Sequence, residues 1–278
     1  MIHDRSKVHI ADPSEVGASG TQSVDRALAL LDLIARRSAE GVGLSALVAA
    51  SGLNKATVRR LLLALIRGGM VEQDGGTRLY HLGEQAQVLG AQAANRTGLG
   101  SVAGESVMRL AQETGDAALL SVRRGASSLC LQREEGAWPI RTHALMPGQM
   151  HPLGVGAGSL AMLAALPEDE ARAVMAANAD HLARHYPAFT PEALTAQIAQ
   201  TQALGVALNP GRVIEGSWGL GIALRHPGGR LAGALSVAAI EARMREDRLP
   251  DLIRRLRAEA ARIERKLAHP APRQGGTT

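Results

Sequence analysis

Hydrophobic spacing marks a run of helices in the first third of the chain. Over residues 23–35 apolar groups recur at helical intervals, with Ser23 as the expected cap and Val24, Ala27, Leu28, Leu31, Ile34 and Ala35 facing inward. Leu30 and Leu33 widen that arc beyond what one small domain needs, which fits a deep three-helix core or a face that packs on a second subunit. A shorter helix at 44–50 carries Leu44, Leu47 and Val48 on one side, and Ser51, Gly52 and Leu53 form a corner whose sharp turn Gly52 supplies. Asn54 is suited to cap the next helix, in which Val58, Leu61, Leu62 and Leu65 fall at i, i+3, i+4 and i+7. At about 100° per residue, Ala56, Arg59, Arg60 and Arg67 turn to the opposite side, with Lys55 and Thr57 flanking them. This reading makes the exposed face one of cations and small groups only.

The pattern then changes. Residues 70–73 and 78–82 alternate and predict a hairpin around Asp74, Gly75, Gly76 and Thr77, its glycines taking positive φ, with Arg78 placed to meet a phosphate or a minor groove. A short helix pair followed by such a ribbon has the layout of a winged helix-turn-helix, which reads the major groove through the first turns of its second helix. Residues 84–95 are polar and alanine-rich, the composition of a connecting helix, and a helix at about 101–113 opens a second domain. Beyond residue 116 the period is strand-like. ALLSVRR, SSLCLQR and WPIRTHALM are candidate strands, helices return at 158–166, 168–177 and 190–204, and strands resume at 206–208, 220–225 and 230–239. Thr190 and Pro191 begin the third of those helices and Gly205 ends it, and a last helix at 249–268 closes the domain. Strands and helices segregate in blocks, so the fold class is α+β with an antiparallel sheet.

The 278 residues therefore divide into a tail at 1–20, a winged helix-turn-helix domain at 21–83, a linker helix at 84–97, a second domain at 98–268 and a tail at 269–278. With 31 Lys and Arg against 26 Asp and Glu the net charge is +5, compatible with nucleic acid without demanding it. Two Trp, two Tyr and one Phe are too few for stacking bases, which disfavours RNA and single-strand binding. The lone Cys130 excludes an internal disulfide and suits a reducing cytoplasm, and the absence of an 18-residue apolar run argues against a membrane span.

SVDRALALLDLIARR followed by GLSALVAASGLNKATVRRLLLALIRGGMVEQDGGTRLYHLG resembles the DNA-binding domain of the IclR family of bacterial transcription regulators. The resemblance implies a ligand-responsive regulator of double-stranded operator DNA, acting as a homodimer or homotetramer. It assigns DNA contacts to Asn54, Lys55, Ala56, Thr57, Arg59, Arg60 and Arg78, and a GAF- or profilin-like fold to the second domain, whose antiparallel sheet is flanked by helices. Effector binding would re-aim the 84–97 connector and change the spacing of the two reading heads.

HPLGVGAGSLAMLAAL, residues 151–166, is the stretch where a small molecule could bind. A glycine-rich loop runs straight into a helix, so the free N–H groups of Gly156, Ala157 and Gly158 can converge on an anion, for which a carboxylate is suited. The same spacing also serves a plain tight connection. The resemblance favours the cradle: the backbone around Ala157 and Gly158 matches the amides that hold an effector's acid group, and Asn209, Gly219, Ser236 and Ala238 fall at the remaining pocket positions. Asn209 stands where relatives often carry an acidic residue, Gly219 where some have cysteine, and Ser236 and Ala238 where paired serines occur. These departures imply a ligand larger or less polar than a two- or three-carbon keto acid. Trp218 either stacks on such a ligand or packs, and Arg212 and Glu215 read as a solvated pair.

Catalysis needs a nucleophile beside a base, or metal ligands at matched spacing. Cys130, His143 and His151 match no standard zinc spacing, Ser159 lacks the nucleophile elbow, and no Glu lies between His181 and His185. No cofactor or metal is expected, and an enzyme acting through the glycine-rich loop is the alternative reading.

Overall fold

The computed structural model describes residues 21–37, 40–95, 98–140, 142 and 145–269. The expected tail at 1–20, that at 269–278 beyond His269, the connector's end at 96–97, and Arg141 and His143 lie outside the described residues. Two compact units make up the chain, Met1–Arg96 and Thr97–Thr278.

In the first unit α1 (Gln22–Ala35), α2 (Leu44–Ser51) and α3 (Lys55–Arg67) precede a ribbon of β1 (Val71–Gln73) and β2 (Tyr80–Leu82), and α4 (Glu84–Asn95) follows. Leu30, Ile34, Leu47, Val58, Leu61 and Leu62 form the core together with Val71 and Tyr80. The inward face expected for α1 is corrected. Val24 and Leu28 are 57% and 55% exposed, Ala35 is exposed, and Leu30 is fully buried. The buried positions lie in the second half of the helix, so the first two turns have no core of this unit beneath them. The helix also starts two residues earlier than a Ser23 cap implies, at Gln22 with Thr21 in the cap position, which puts Ser23 inside the first turn.

In the second unit six strands, β3 (Ala117–Arg124), β4 (Ser127–Glu134), β5 (Met150–Pro152), β6 (Ala207–Ile214), β7 (Ser217–Arg225) and β8 (Leu231–Ile240), form one antiparallel sheet in the order β5-β4-β3-β8-β7-β6. Helices α5 (Leu99–Thr114) and α9 (Leu249–Ala268) cover one face, burying Val107, Leu110, Leu252, Leu256 and Ile263 against Leu120, Leu235 and Val237. Helix α6 (Ala157–Ala164) lies on the opposite face, with α7 (Glu168–His185) and α8 (Pro191–Leu204) packed over it through Met162, Leu163, Val174, Phe189 and Leu194. Alternation along each strand sends neighbouring residues to the two different cores, as a sheet covered on both faces requires.

Two expectations for this unit fail for physical reasons. WPIRTHALM is not a strand in its described part: Pro139 has no N–H to donate, Trp138 N donates to Gly115 O at 3.2 Å, and the Arg243 guanidinium sits 3.7 Å from the Trp138 ring centre. The free edge of β4 is taken by Met150–Pro152 instead. β6 runs on to Ile214 although Pro210 lies within it, which an edge strand tolerates because no further neighbour needs that N–H. Helix α7 also continues to His185, past the expected end at 177.

Candidate functional site

Helix α3 begins as its sequence predicts. The Asn54 side chain accepts from Thr57 N at 2.8 Å, and Gly52 ends α2 in the left-handed region at φ 66°. Val58, Leu61 and Leu62 are buried, while Asn54, Lys55, Ala56, Arg59, Arg60 and Arg67 are exposed and Thr57 is half-buried. Leu63, 57% exposed, breaks the expectation of a face made only of cations and small groups. Among the described residues no carboxylate pairs with Lys55, Arg59, Arg60 or Arg78, whereas in the second unit Arg109, Arg123, Arg133, Arg172, Arg243, Arg248 and Arg255 are all in ion pairs.

The ribbon's turn is built differently from the sequence expectation. Gly75 and Gly76 do not take positive φ; Arg78 does, at 60°. Asp74 makes this possible, its Oδ1 accepting from Gly76 N at 3.1 Å, Thr77 N at 2.6 Å and Thr77 Oγ1 at 2.7 Å. Those donors hold the Asp74 carboxyl below the usual carboxylate range, Thr77 contributing most. With the turn closed by Asp74, the left-handed residue falls on Arg78, which is exposed.

In the second unit, the floor of a cavity of about 70 Å³ is the sheet face beneath α6. Asn209 pairs with Gly219 and Gly219 with Ala238, one row across three strands; Gly221, Ser236, Leu119 and Arg133 form the next row. Glycine at 219 and 221 lets α6 lie flat on β7: a Cβ on Gly221 would meet Ala157 O at 2.4 Å and Gly158 N at 2.7 Å. The first turn of α6 is buried, its cap position is Gly156, which has no side chain to cap with, and Leu160 N is the first to bond back into the helix, at 2.8 Å to Gly156 O. The N–H groups of Ala157, Gly158 and Ser159 are left without acceptors among the described residues, an unusual state for a buried helix start. Gly156, Ala157, Gly158, Asn209, Gly219, Ser236 and Ala238 all line this one cavity.

Residues 91–265 match the family described as bacterial transcriptional regulator IclR C-terminal, and residues 23–75 match the IclR helix-turn-helix domain. The chain belongs to the IclR family. It is a ligand-responsive, DNA-binding transcription regulator of the IclR type. IclR relatives include the HTH-type transcriptional regulator BhcR of Paracoccus denitrificans, 30% identical over 84% of this chain and 82% of that protein. The HTH-type transcriptional regulator KipR of Bacillus subtilis is 26% identical over 89% and 98%. An IclR regulator from Alicyclobacillus acidocaldarius has the same fold, with a TM-score of 0.75, 23% identity, and coverage of 88% of this chain and 98% of that one. An IclR homologue from Microbacterium hydrocarbonoxydans, solved with 4-hydroxybenzoate, superposes with a TM-score of 0.73 at 20% identity, over 88% and 98%.

Against the IclR outline, sequence reasoning missed part of the cavity wall. Ser121, Ser128, Arg133, His151, Val155 and Ser217 also line it. Arg133 is buried and committed: it pairs with Glu135 at 2.7 Å and donates to the carbonyls of Leu145, at 3.1 Å, and Thr142, which ties the segment after β4 over the cavity. Burial pushes the His151 imidazole down to about 4, a contact with the Val155 backbone acting the other way. Trp218, which alternates with Ser217 and Gly219, packs partly against the core on the α5 and α9 side of the sheet and also borders the cavity.

The residues considered for catalysis have structural duties. Ser159 Oγ accepts from Gly154 N at 2.9 Å and donates to Pro152 O at 3.2 Å, bracing the loop before α6. Cys130 packs with Ala117 and Leu119, and burial raises its thiol to about 11. Among the described residues no three His, Cys, Asp or Glu are grouped to hold a metal; His143 lies outside them.

Proposed function

We propose that this regulator lays the first two turns of α3 in the major groove of operator DNA and changes its hold when a small carboxylate fills the cavity of the second unit. Asn54, Lys55, Ala56, Thr57, Arg59 and Arg60 meet the duplex, and Arg78 grips the backbone from the ribbon. The supporting observation is the contrast in charge pairing: the α3 cations stand exposed without carboxylate partners among the described residues, whereas most of the described arginines of the second unit are in ion pairs. A cation left unpaired at an exposed helix start is available to phosphates and base edges at no cost in broken salt bridges.

The effector's acid group sits on the free N–H groups beside Gly156, Ala157 and Gly158, and Asn209, Gly219, Ser236 and Ala238 surround it. Occupancy shifts DNA affinity by as much as the ligand prefers one arrangement of the assembly over another. The assembly is a homodimer or homotetramer, a reading supported by the exposed Val24 and Leu28 on α1. The protein works in the cytoplasm, where its DNA target is, and it is not an enzyme; among the described residues no helix is long and apolar enough to cross a membrane. An electrophoretic shift of the DNA upstream of its own coding region, run with and without small carboxylic acids, tests the reading. A shift that the acids alter supports it, and no shift at any protein concentration removes the operator assignment.

A further inference from the structure

The cavity holds polar capacity that a plain carboxylate does not use. Asn209 is 6% exposed, its Oδ1 is buried without a hydrogen-bond partner, and its amide nitrogen has none among the described residues. Either orientation of the amide therefore leaves one donor and one acceptor unmatched. Ser236, 8% exposed, also has no partner for its hydroxyl among the described residues. Both lie next to the orphan amides. Asn209 pairs with Gly219, where a Cβ would be 3.2 Å from Ala157 Cβ, and Ser236 Oγ is 3.1 Å from where a Gly158 Cβ would stand. Strand spacing puts Asn209 about 4.8 Å from β7, on which α6 rests. Leu119, Val155, Val213 and Ala238 supply apolar wall, and Ser128, whose Oγ is likewise buried without a partner among the described residues, lines the same cavity.

Resting on the reading of this cavity as a carboxylate site, we propose that its ligand is a short hydroxylated carboxylic acid with the hydroxyl on the second or third carbon. The carboxylate takes the N–H groups of Ala157, Gly158 and Ser159. The hydroxyl, donor and acceptor at once, meets the Asn209 amide, with Ser236 completing the ring. A cavity of about 70 Å³ has room for about five to seven water-sized groups, the size of a three-carbon hydroxy acid. A ligand without the hydroxyl leaves the buried Asn209 amide unpaired and is discriminated against.

Isothermal titration of the full chain with sodium 2-hydroxypropanoate, 3-hydroxypropanoate, propanoate and 2-oxopropanoate tests this. One of the two hydroxy acids is expected to bind at least about tenfold more tightly than propanoate, and Asn209→Leu to bring that ratio towards one. Ser236→Ala, which only deletes a hydroxyl and keeps the packing, is expected to reduce the ratio too and serves if Asn209→Leu fails to fold. Propanoate or 2-oxopropanoate binding as tightly as both hydroxy acids overturns the hydroxyl assignment and leaves the carboxylate site standing. Binding by none of the four overturns both.

Discussion

At the residue scale the account turns on side chains whose position cannot be explained by folding alone. Arg59 is exposed, packs on nothing that the core needs and has no carboxylate partner among the described residues. Arg59→Ala is expected to leave the unfolding midpoint in place and to cost about 1–3 kcal/mol of operator binding, concentrated at one base-pair position. A loss spread evenly over all sequences would make it a phosphate contact. Arg78 is the sharper case, because its φ of 60° is one that glycine adopts more easily. Arg78→Gly should hold stability or raise it by about 0.5–1 kcal/mol, while lowering the salt dependence of DNA binding by about one phosphate contact. His151 carries a pH dependence: its folded value of about 4 is below the ordinary 6.5 because burial disfavours the charged ring. The unfolded chain takes up the proton first, so stability is full above about pH 6.5, falls as pH drops towards 4, and is lower below that by on the order of 3 kcal/mol. Urea midpoints at pH 7 and 4.5 should separate less in His151→Gln than in the native chain.

At the element scale, the sheet and α6 are fitted to each other through glycine. A methyl group on Gly221 would strike the backbone of Ala157 and Gly158, which no rotamer change relieves. Gly221→Ala is expected to cost about 1–3 kcal/mol in denaturant unfolding and to abolish ligand binding, because α6 must lift off the floor that its amides face. Equal stability and ligand affinity would mean that the helix start is not fixed by this contact. Helix boundaries that carry a local cap or stop residue were the most legible part of the sequence, unlike the start of α1 and the end of α7. Asn54, Thr190 with Pro191, Gly52 and Gly205 are local signals, and each acts where its chemistry places it. The strand misread in the described part of 138–146 and the wing turn were not legible, because a hydrogen bond to Gly115, a ring under Arg243 and an Asp74 side chain decide them, and none of these is a matter of period. The inward side of α1 was misassigned for a related reason: periodicity finds an apolar arc, but which part of it is covered depends on where α2 and α3 cross.

At the scale of the whole molecule, the chain joins a unit built to meet DNA with a unit built around a buried cavity. The cavity's glycine-rich edge stood out in the sequence because amides at a helix start are encoded by consecutive residues. Its far walls did not, since Ser121, Ser128 and Arg133 reach it only through strand pairing across the sheet. Coupling between two such sites is a difference in affinity and needs no particular route. The most direct measurement is fluorescence anisotropy of the upstream DNA duplex titrated with the full chain, with and without a saturating short carboxylate. The account predicts isotherms displaced by about 5- to 150-fold, a displacement that Arg59→Ala weakens in absolute affinity but does not remove. Superimposable isotherms with a carboxylate that calorimetry shows to be bound would contradict it.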